Sequence, residues 1–362
     1  MIFGKIMKYG NAELNAQAKE MLAVKPQLRN LFWETTLRCN ANCKHCGSRA
    51  GGNINSHEDL KTDEIKKVFK EIANRYDANS ILLSITGGEP LIREDLFEVM
   101  QYAYDLGFHH WGMTSNGLLI NDDIIENMKK TGMSTISISI DGIEKTHDNL
   151  RGIPGAYKKT IENIKKLKEA DFLKSIQVTT VITKKSINEL EKLYEEMKEL
   201  NINSWRVVNI EPIGRAKDNE DLYLDKDDYI NLLNFIKNKR KKSKFEVTYG
   251  CSHYLGMNYE MDVRDQFFSC QSGYQIASIL HNGDIFVCPN VERHEELIQG
   301  NVRKDSFCDV WENEFKVFRD RTNYKYDKCA NCEDWKYCQG DSLHTWDFAN
   351  KKPRLCINKM IN

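Results

Sequence analysis

Between residues 31 and 210 the chain alternates short runs rich in β-branched and aromatic residues with stretches whose apolar positions recur every three or four residues. The β-rich runs fall at 31–36, 81–86, 109–114, 135–140, 176–182 and 205–210. Strand and helix in alternation predict repeated βα units around a parallel sheet, and six of them predict an α/β fold, a partial (β/α)6 barrel. The helices carry their own marks. After Thr62, a predicted N-cap, Ile65, Val68, Phe69, Ile72 and Tyr76 share one face. Ser186 and Glu189 have capping-box spacing, and Leu190, Leu193, Tyr194 and Met197 form the stripe behind them. A further helix from 225 ends in Lys239, Arg240, Lys241 and Lys242, where cations suit a helix C-terminus. That run reads as a solvated helix end, with an acidic peptide as the competing reading. Beyond 250, helical periodicity fades and Cys, Gly, Asn and Trp become frequent. The expected organisation is an N-terminal segment (1–30), a barrel (31–224), a bridging helix (225–249) and a cysteine-rich domain (250–362).

Composition narrows the class. The 362 residues are 41% hydrophobic and 29% charged with a formal net charge of −1, which predicts an ordinary globular protein without bulk attraction to nucleic acid. No apolar run has the length of a signal peptide or a membrane span, so a cytoplasmic location and no membrane association are expected. Eleven cysteines in such a chain point to metal rather than to disulfides. Three cluster at Cys39, Cys43 and Cys46, and eight lie between Cys251 and Cys356, which marks two metal-binding regions.

The first group directly follows the first predicted strand, where βα barrels place their active sites. Three thiolates hold a four-iron cluster with one iron left open to a small chelator. A zinc site made from the three cysteines and His45 is the competing reading of the spacing. The motif Cys39-Asn-Ala-Asn-Cys43-Lys-His-Cys46, followed one βα unit later by Thr86-Gly87-Gly88-Glu89-Pro90, resembles the radical S-adenosylmethionine superfamily, over nearly the whole chain. The resemblance implies a [4Fe-4S] cluster on Cys39, Cys43 and Cys46 whose open iron chelates the methionine end of S-adenosylmethionine. It implies that Gly87 and Gly88 let backbone approach that ligand and that Glu89 holds its amino group. Ser115 and Asn116, in Thr114-Ser115-Asn116-Gly117, fall where the family contacts the cofactor. Alternation puts Ser137, Ser139 and Asp141 on one face of the fourth strand; if that face points into the barrel, the resemblance implies that Ser139 and Asp141 reach the cofactor ribose, and otherwise they are ordinary polar strand residues. Arg151 resembles the family's carboxylate-binding arginine, Glu211 follows strand six among further cofactor or substrate contacts, and His45 occupies the position whose backbone meets adenine.

The second group resembles the SPASM domain, an extension of that superfamily carrying one or two auxiliary iron–sulfur clusters. Its outer set would be Cys329, Cys332, Cys338 and Cys356, with a zinc ribbon as the alternative. Its inner set would be Cys251, Cys270 and Cys288, with Cys270, Gly283 and Cys288 framing a hairpin turned by His281-Asn-Gly-Asp284. The family's next cysteine is replaced by Ser342, so the inner cluster's fourth position falls to Asp341, Ser342, water or a substrate thiol. Cys308 reads as a small buried hydrophobe.

The resemblance implies an oxidoreductase that uses a 5′-deoxyadenosyl radical. Its relatives of this kind mostly modify ribosomally made peptides, installing thioether or carbon–carbon cross-links, so a precursor peptide is the first expected substrate. Phe32-Trp-Glu-Thr-Thr-Leu-Arg38 also resembles relatives that oxidise haem precursors. Tetrapyrrole decarboxylation, other small-molecule chemistry and sulfatase maturation therefore stay open, as does a non-enzymatic electron carrier. Expected partners are a flavodoxin or ferredoxin-type reductant and a separate leader-recognition protein, since about thirty residues before the first strand are few for a recognition domain.

Overall fold

A computed structural model describes residues 2–51, 58–250 and 253–362. All six predicted strands form: β1 (Asn30–Glu34), β2 (Leu82–Thr86), β3 (Trp111–Ser115), β4 (Thr135–Ser139), β5 (Ser175–Ile182) and β6 (Ser204–Asn209). They pair in sequence order and in parallel, with α2 (Thr62–Arg75), α3 (Leu96–Asp105), α4 (Asp122–Lys130), α5 (Lys145–Arg151), α6 (Ala156–Ala170) and α7 (Leu190–Glu199) in the crossovers. Period-two alternation sorts each strand's residues. Ile136 and Ile138 of β4 and Ile176, Val178 and Ile182 of β5 are buried in the core that also takes Ile164 and Leu167 of α6. The opposite face is polar and half-buried, where Ser137 Oγ lies 2.7 Å from Thr179 Oγ1 and receives Gln177 Nε2 at 3.0 Å.

The sheet extends beyond six strands. After α8 (Lys226–Arg240), β7 (Glu246–Tyr249) adds in parallel to β6. From the cysteine-rich region, β8 (Ile276–Ile279) pairs in parallel with β1, followed antiparallel by β9 (Asp284–Phe286) and β10 (Gly300–Asn301), giving one sheet of ten strands. The β8–β9 turn is the one expected, with Gly283 at φ +91°. The first 24 residues, for which the hydrophobic pattern predicts no element, hold a helix, α1 (Ile2–Val24). It is fastened to the cysteine-rich region by Asn15 Nδ2, which donates to the carbonyl of Phe268 at 3.0 Å, and by a Glu13–Lys336 ion pair.

Local details correct the expected caps. The N-cap of α2 is Lys61, whose N–H reaches Glu64 at 2.7 Å, while Thr62 Oγ1 donates instead to Asp95. Ser186 and Glu189 form no capping box. Ser186 Oγ accepts from Thr183 N–H at 3.1 Å, and the Glu189 carboxylate accepts from Ile143 N–H and the Thr146 hydroxyl, at 2.8 and 2.7 Å. A long-range anchor for the start of α5 outcompetes the local bond. In the basic run, Lys239 pairs with Glu191 at 2.6 Å and Arg240 with Asp265, so half of the run is spoken for within the chain.

Candidate active site

The loop after β1 presents Cys39, Cys43 and Cys46, and backbone hydrogen bonds clamp it from three sides. From α5, the carbonyl of Leu150 accepts Lys44 N–H at 2.9 Å. From the turn after β6, Arg215 N–H donates to the carbonyl of Cys46 at 2.9 Å and its Nε to that of Cys43 at 2.7 Å. From the turn after β2, Gly88 N–H donates to Thr36 and Glu89 N–H to Arg38, at 2.8 and 3.0 Å. Contact is backbone to backbone, which is why glycine is needed: a Cβ on Gly88 would strike the Arg38 carbonyl, and one on Gly214 the carbonyls of Cys46 and Gly47. Gly87 faces the Thr36 carbonyl in the same way. Ten cysteines lie among the described residues, and none of them is in a disulfide. Burial raises the Cys39 thiol to about 11, and it raises Cys43 too, against the pull of Arg151. Burial thus disfavours the thiolate form at Cys39 and Cys43 unless a positive charge lies beside it.

Two buried carboxylates organise the rest. Glu89, fully buried, accepts from Ser115 Oγ at 2.9 Å and from Asn116 N–H at 2.8 Å, and burial raises its pKa. Asn116 Nδ2 in turn donates to Asn40 at 2.7 Å and lies 3.9 Å from Cys39 Sγ, so the strand-three turn touches the cysteine loop. Asp141 is also fully buried, with Oδ2 at 2.5 Å from Arg151 Nη2 and 3.1 Å from His45 Nε2. Its Oδ1 accepts from Val181 N–H at 2.9 Å. Burial alone would raise Asp141, but Arg151 and His45 hold its carboxyl far below the usual range. Arg151 Nη1 lies 3.6 Å from Cys43 Sγ. Thus His45, Asp141, Arg151 and Cys43 form one connected group, while Ser139 sits half-buried on β4 opposite Thr179.

Glu211 lies on the path from the barrel to the cysteine-rich region. Its Oε1 accepts from Asn209 Nδ2 and from His253 Nε2, both at 2.8 Å, and His253 Nδ1 meets Asp341 Oδ2 at 2.6 Å. Burial would lower His253, yet Glu211 and Asp341 on either side raise it to about 10, an imidazolium between two carboxylates. Asp341 Oδ1 also accepts Tyr254 N–H at 2.8 Å, so both of its oxygens are engaged. Gln339, Gly340 and Asp341 all have positive φ, at 51°, 84° and 68°, a tight left-handed turn straight after Cys338. Cys329, Cys332, Cys338 and Cys356 line a single cavity with Tyr254 and Asp341. Cys251 lies outside the described residues. Among those described, no three His, Cys, Asp or Glu side chains converge as one metal ion would require; a cluster takes its thiolates on different irons, which need not meet at a point.

The family model of the radical SAM superfamily matches residues 33–197. A relative from Methanosarcina barkeri, described as an AdoMet-dependent haem synthase, is 32% identical over 358 residues, covering 93% of this chain and 98% of its own. The chain belongs to the radical SAM superfamily. The model of an iron–sulfur cluster-binding domain, SPASM, matches residues 270–333. The mycofactocin maturase of Mycobacterium tuberculosis is 26% identical, covering 86% of this radical SAM chain and 78% of its own. Among solved structures, Streptococcus suis SuiB bound to S-adenosylmethionine superposes with a TM-score of 0.71 at 18% identity, covering 97% of this chain and 81% of that one. The structure of anSMEcpe with bound AdoMet gives 0.69 at 16% identity, covering 88% and 90%.

A radical SAM protein carries a [4Fe-4S] cluster and S-adenosylmethionine, and its SPASM domain auxiliary clusters. The residues fit the first pair. Around the cysteine loop His45 Nδ1, Arg151 Nε and Arg215 Nη2 are buried without a hydrogen-bond partner, as expected of a cradle shaped for a polar ligand. Arg215 and His253 escaped the sequence reading; a histidine two residues past Cys251 and an arginine after Pro-Ile-Gly were the signals available. No helix among the described residues is long and apolar enough to cross a membrane.

Proposed function

We propose that this radical SAM enzyme oxidises a carboxylate-bearing side chain of a haem precursor, converting a propionate to a vinyl group. The observation that carries this reading is the 32% match to the Methanosarcina haem synthase, which runs through 98% of that protein, the cysteine-rich region included. With both cofactors bound, the site supplies one-electron cleavage of the sulfonium to a carbon radical that takes hydrogen from an unactivated C–H bond. The chain's residues then have separable tasks. Cys39, Cys43 and Cys46 would hold three irons, Glu89 would receive the methionine ammonium, and Arg151, kept in place by Asp141, would face the cofactor carboxylate. Ser115 and Asn116 would orient Glu89, and the half-buried polar face with Ser139 would meet the ribose. Per ionised propionate the change releases carbon dioxide, one hydrogen atom to the radical and one electron to an acceptor. The test is anaerobic incubation of reconstituted enzyme with S-adenosylmethionine, reductant and an iron tetrapyrrole bearing propionates. Coupled loss of carbon dioxide and two hydrogens, with matching 5′-deoxyadenosine, is expected; cofactor cleavage that the tetrapyrrole neither stimulates nor couples to product would defeat the reading.

A second reading, modification of a ribosomally made peptide as a peptide maturase, is favoured by the 26% match to the mycofactocin maturase. Here the same cofactor set would act on a peptide side chain, and a peptide that raises 5′-deoxyadenosine yield and changes mass would select it over the tetrapyrrole.

A further inference from the structure

Among the described residues, the ten strands of the sheet contain one basic side chain, Arg206 in β6. Alternation sets its direction. Trp205 and Val207 are buried in the core behind the sheet, so Arg206 and Val208 belong to the opposite, half-buried face. That is the polar face on which Ser137, Thr179 and Gln177 bond one another. In register, Arg206 lies between Thr179 of β5 and Thr248 of β7, and Thr179 lies opposite Ser139 of β4. Two strand spacings, about 10 Å, therefore separate the backbone of Arg206 from that of Ser139.

The stem of the side chain shows which way the charge is carried. A Cβ on Gly250 would lie 3.2 and 3.4 Å from Arg206 Cγ and Cδ. Gly250 stands two residues beyond Thr248, nearer the end of the sheet from which the cysteine loop and the Ser115-Asn116 turn project. Arg206 thus leaves its own row and leans toward the mouth of the barrel. A guanidinium is costly to hold in a half-buried cavity whose neighbouring row positions are threonines. Cavities of this kind use a few placed polar groups to orient a ligand.

We propose that Arg206 anchors a carboxylate of the substrate, its planar fork receiving both oxygens inside the barrel beside the place of the cofactor ribose. The proposal rests on the haem-precursor reading, whose substrate bears propionates. Arg151 already faces the cofactor carboxylate in that reading, so a second fork serves a different carboxylate. Arginine suits the task because its donors match the two oxygens and it stays charged when desolvated.

The test titrates reconstituted full-length enzyme anaerobically, with S-adenosylmethionine and without reductant, and follows the visible absorption of the added tetrapyrrole. Two probes are compared: an iron tetrapyrrole bearing propionates and the same compound with the propionates converted to amides. The parent is expected to bind the acid about ten- to a hundredfold more tightly than the amide, and Arg206→Gln to lose most of that preference through weaker binding of the acid. Arg206→Lys, which keeps the charge without the fork, should fall between them. If the glutamine variant does not fold, the lysine variant decides: a preference below the parent's supports the anchor, and the parent's full preference overturns it. An undiminished preference in Arg206→Gln, or equal binding of acid and amide by the parent, overturns the anchor and leaves the haem-precursor reading standing. A parent that binds neither probe overturns both.

Discussion

Asp141 and Arg151 show how a single pair decides the order of the cofactor side of the site. The carboxylate is fully buried, and its partner is spread between Asp141 Oδ2 at 2.5 Å and Cys43 Sγ at 3.6 Å. Removing one member of such a pair leaves the other as an uncompensated buried charge, at a cost of roughly 3–5 kcal/mol. Arg151→Ala should therefore lose about that much stability in urea unfolding of the cofactor-free protein at pH 7, before any effect on cofactor affinity. Arg151 holds the Asp141 pKa down, so the pair's contribution is complete above the unfolded carboxylate value of 3.8 and disappears as pH falls toward the depressed folded value. The gap between parent and variant should thus stay constant from pH 7 to 5 and narrow only in stronger acid. A difference under about 1 kcal/mol at pH 7 would mean that Asp141 is neutral or solvated in the folded protein.

Turns rather than strands hold the cysteine loop, and the turn after β6 is the one that reaches furthest. Gly214, at φ +55°, leans directly on the backbone of Cys46 and Gly47, and the neighbouring Arg215 bonds the carbonyls of Cys43 and Cys46. Gly214→Ala would add about 1–2 kcal/mol of left-handed strain and drive a methyl into those carbonyls. Since β6 itself packs elsewhere, the expected outcome is a folded protein whose iron content falls by the share of the first cluster and whose 5′-deoxyadenosine yield drops with it. Parent-level iron and cleavage would show that the loop yields to the methyl at no cost.

At the scale of the whole molecule, the two cysteine regions share one sheet, since β8 of the cysteine-rich part lies beside β1, which leads into the cysteine loop. Pairing with β8 covers an edge that β1 would otherwise expose. Even so, the two thiol sets lie on different connections: Cys39, Cys43 and Cys46 between β1 and α2, and Cys329, Cys332, Cys338 and Cys356 beyond β10. Replacing the first three with alanine should abolish 5′-deoxyadenosine formation while leaving iron at the C-terminal sites, measured by iron analysis and absorption spectra after anaerobic reconstitution. Cleavage at the parent rate would remove the first cluster from the chemistry.

Local chemistry was legible from the amino-acid order alone. The C-x3-C-x2-C spacing, the Gly-Gly-Glu-Pro turn, the six β-rich runs and the His281-Asn-Gly-Asp284 hairpin each depend on residues a few positions apart, and each is where it was expected. Even there the short-range reading failed at Glu189, whose carboxylate found partners at Ile143 and Thr146 instead of its own helix end. What only the tertiary structure decided are the pairings across long stretches of chain: Asp141 with His45 and Arg151, Glu211 with Asp341 through His253, β8 against β1, and Lys19 and Arg321 beside the one ring of Tyr274. A charge in water leaves no periodic trace in sequence. Its partner is chosen when the packed sheet removes the water and makes each unpaired charge costly.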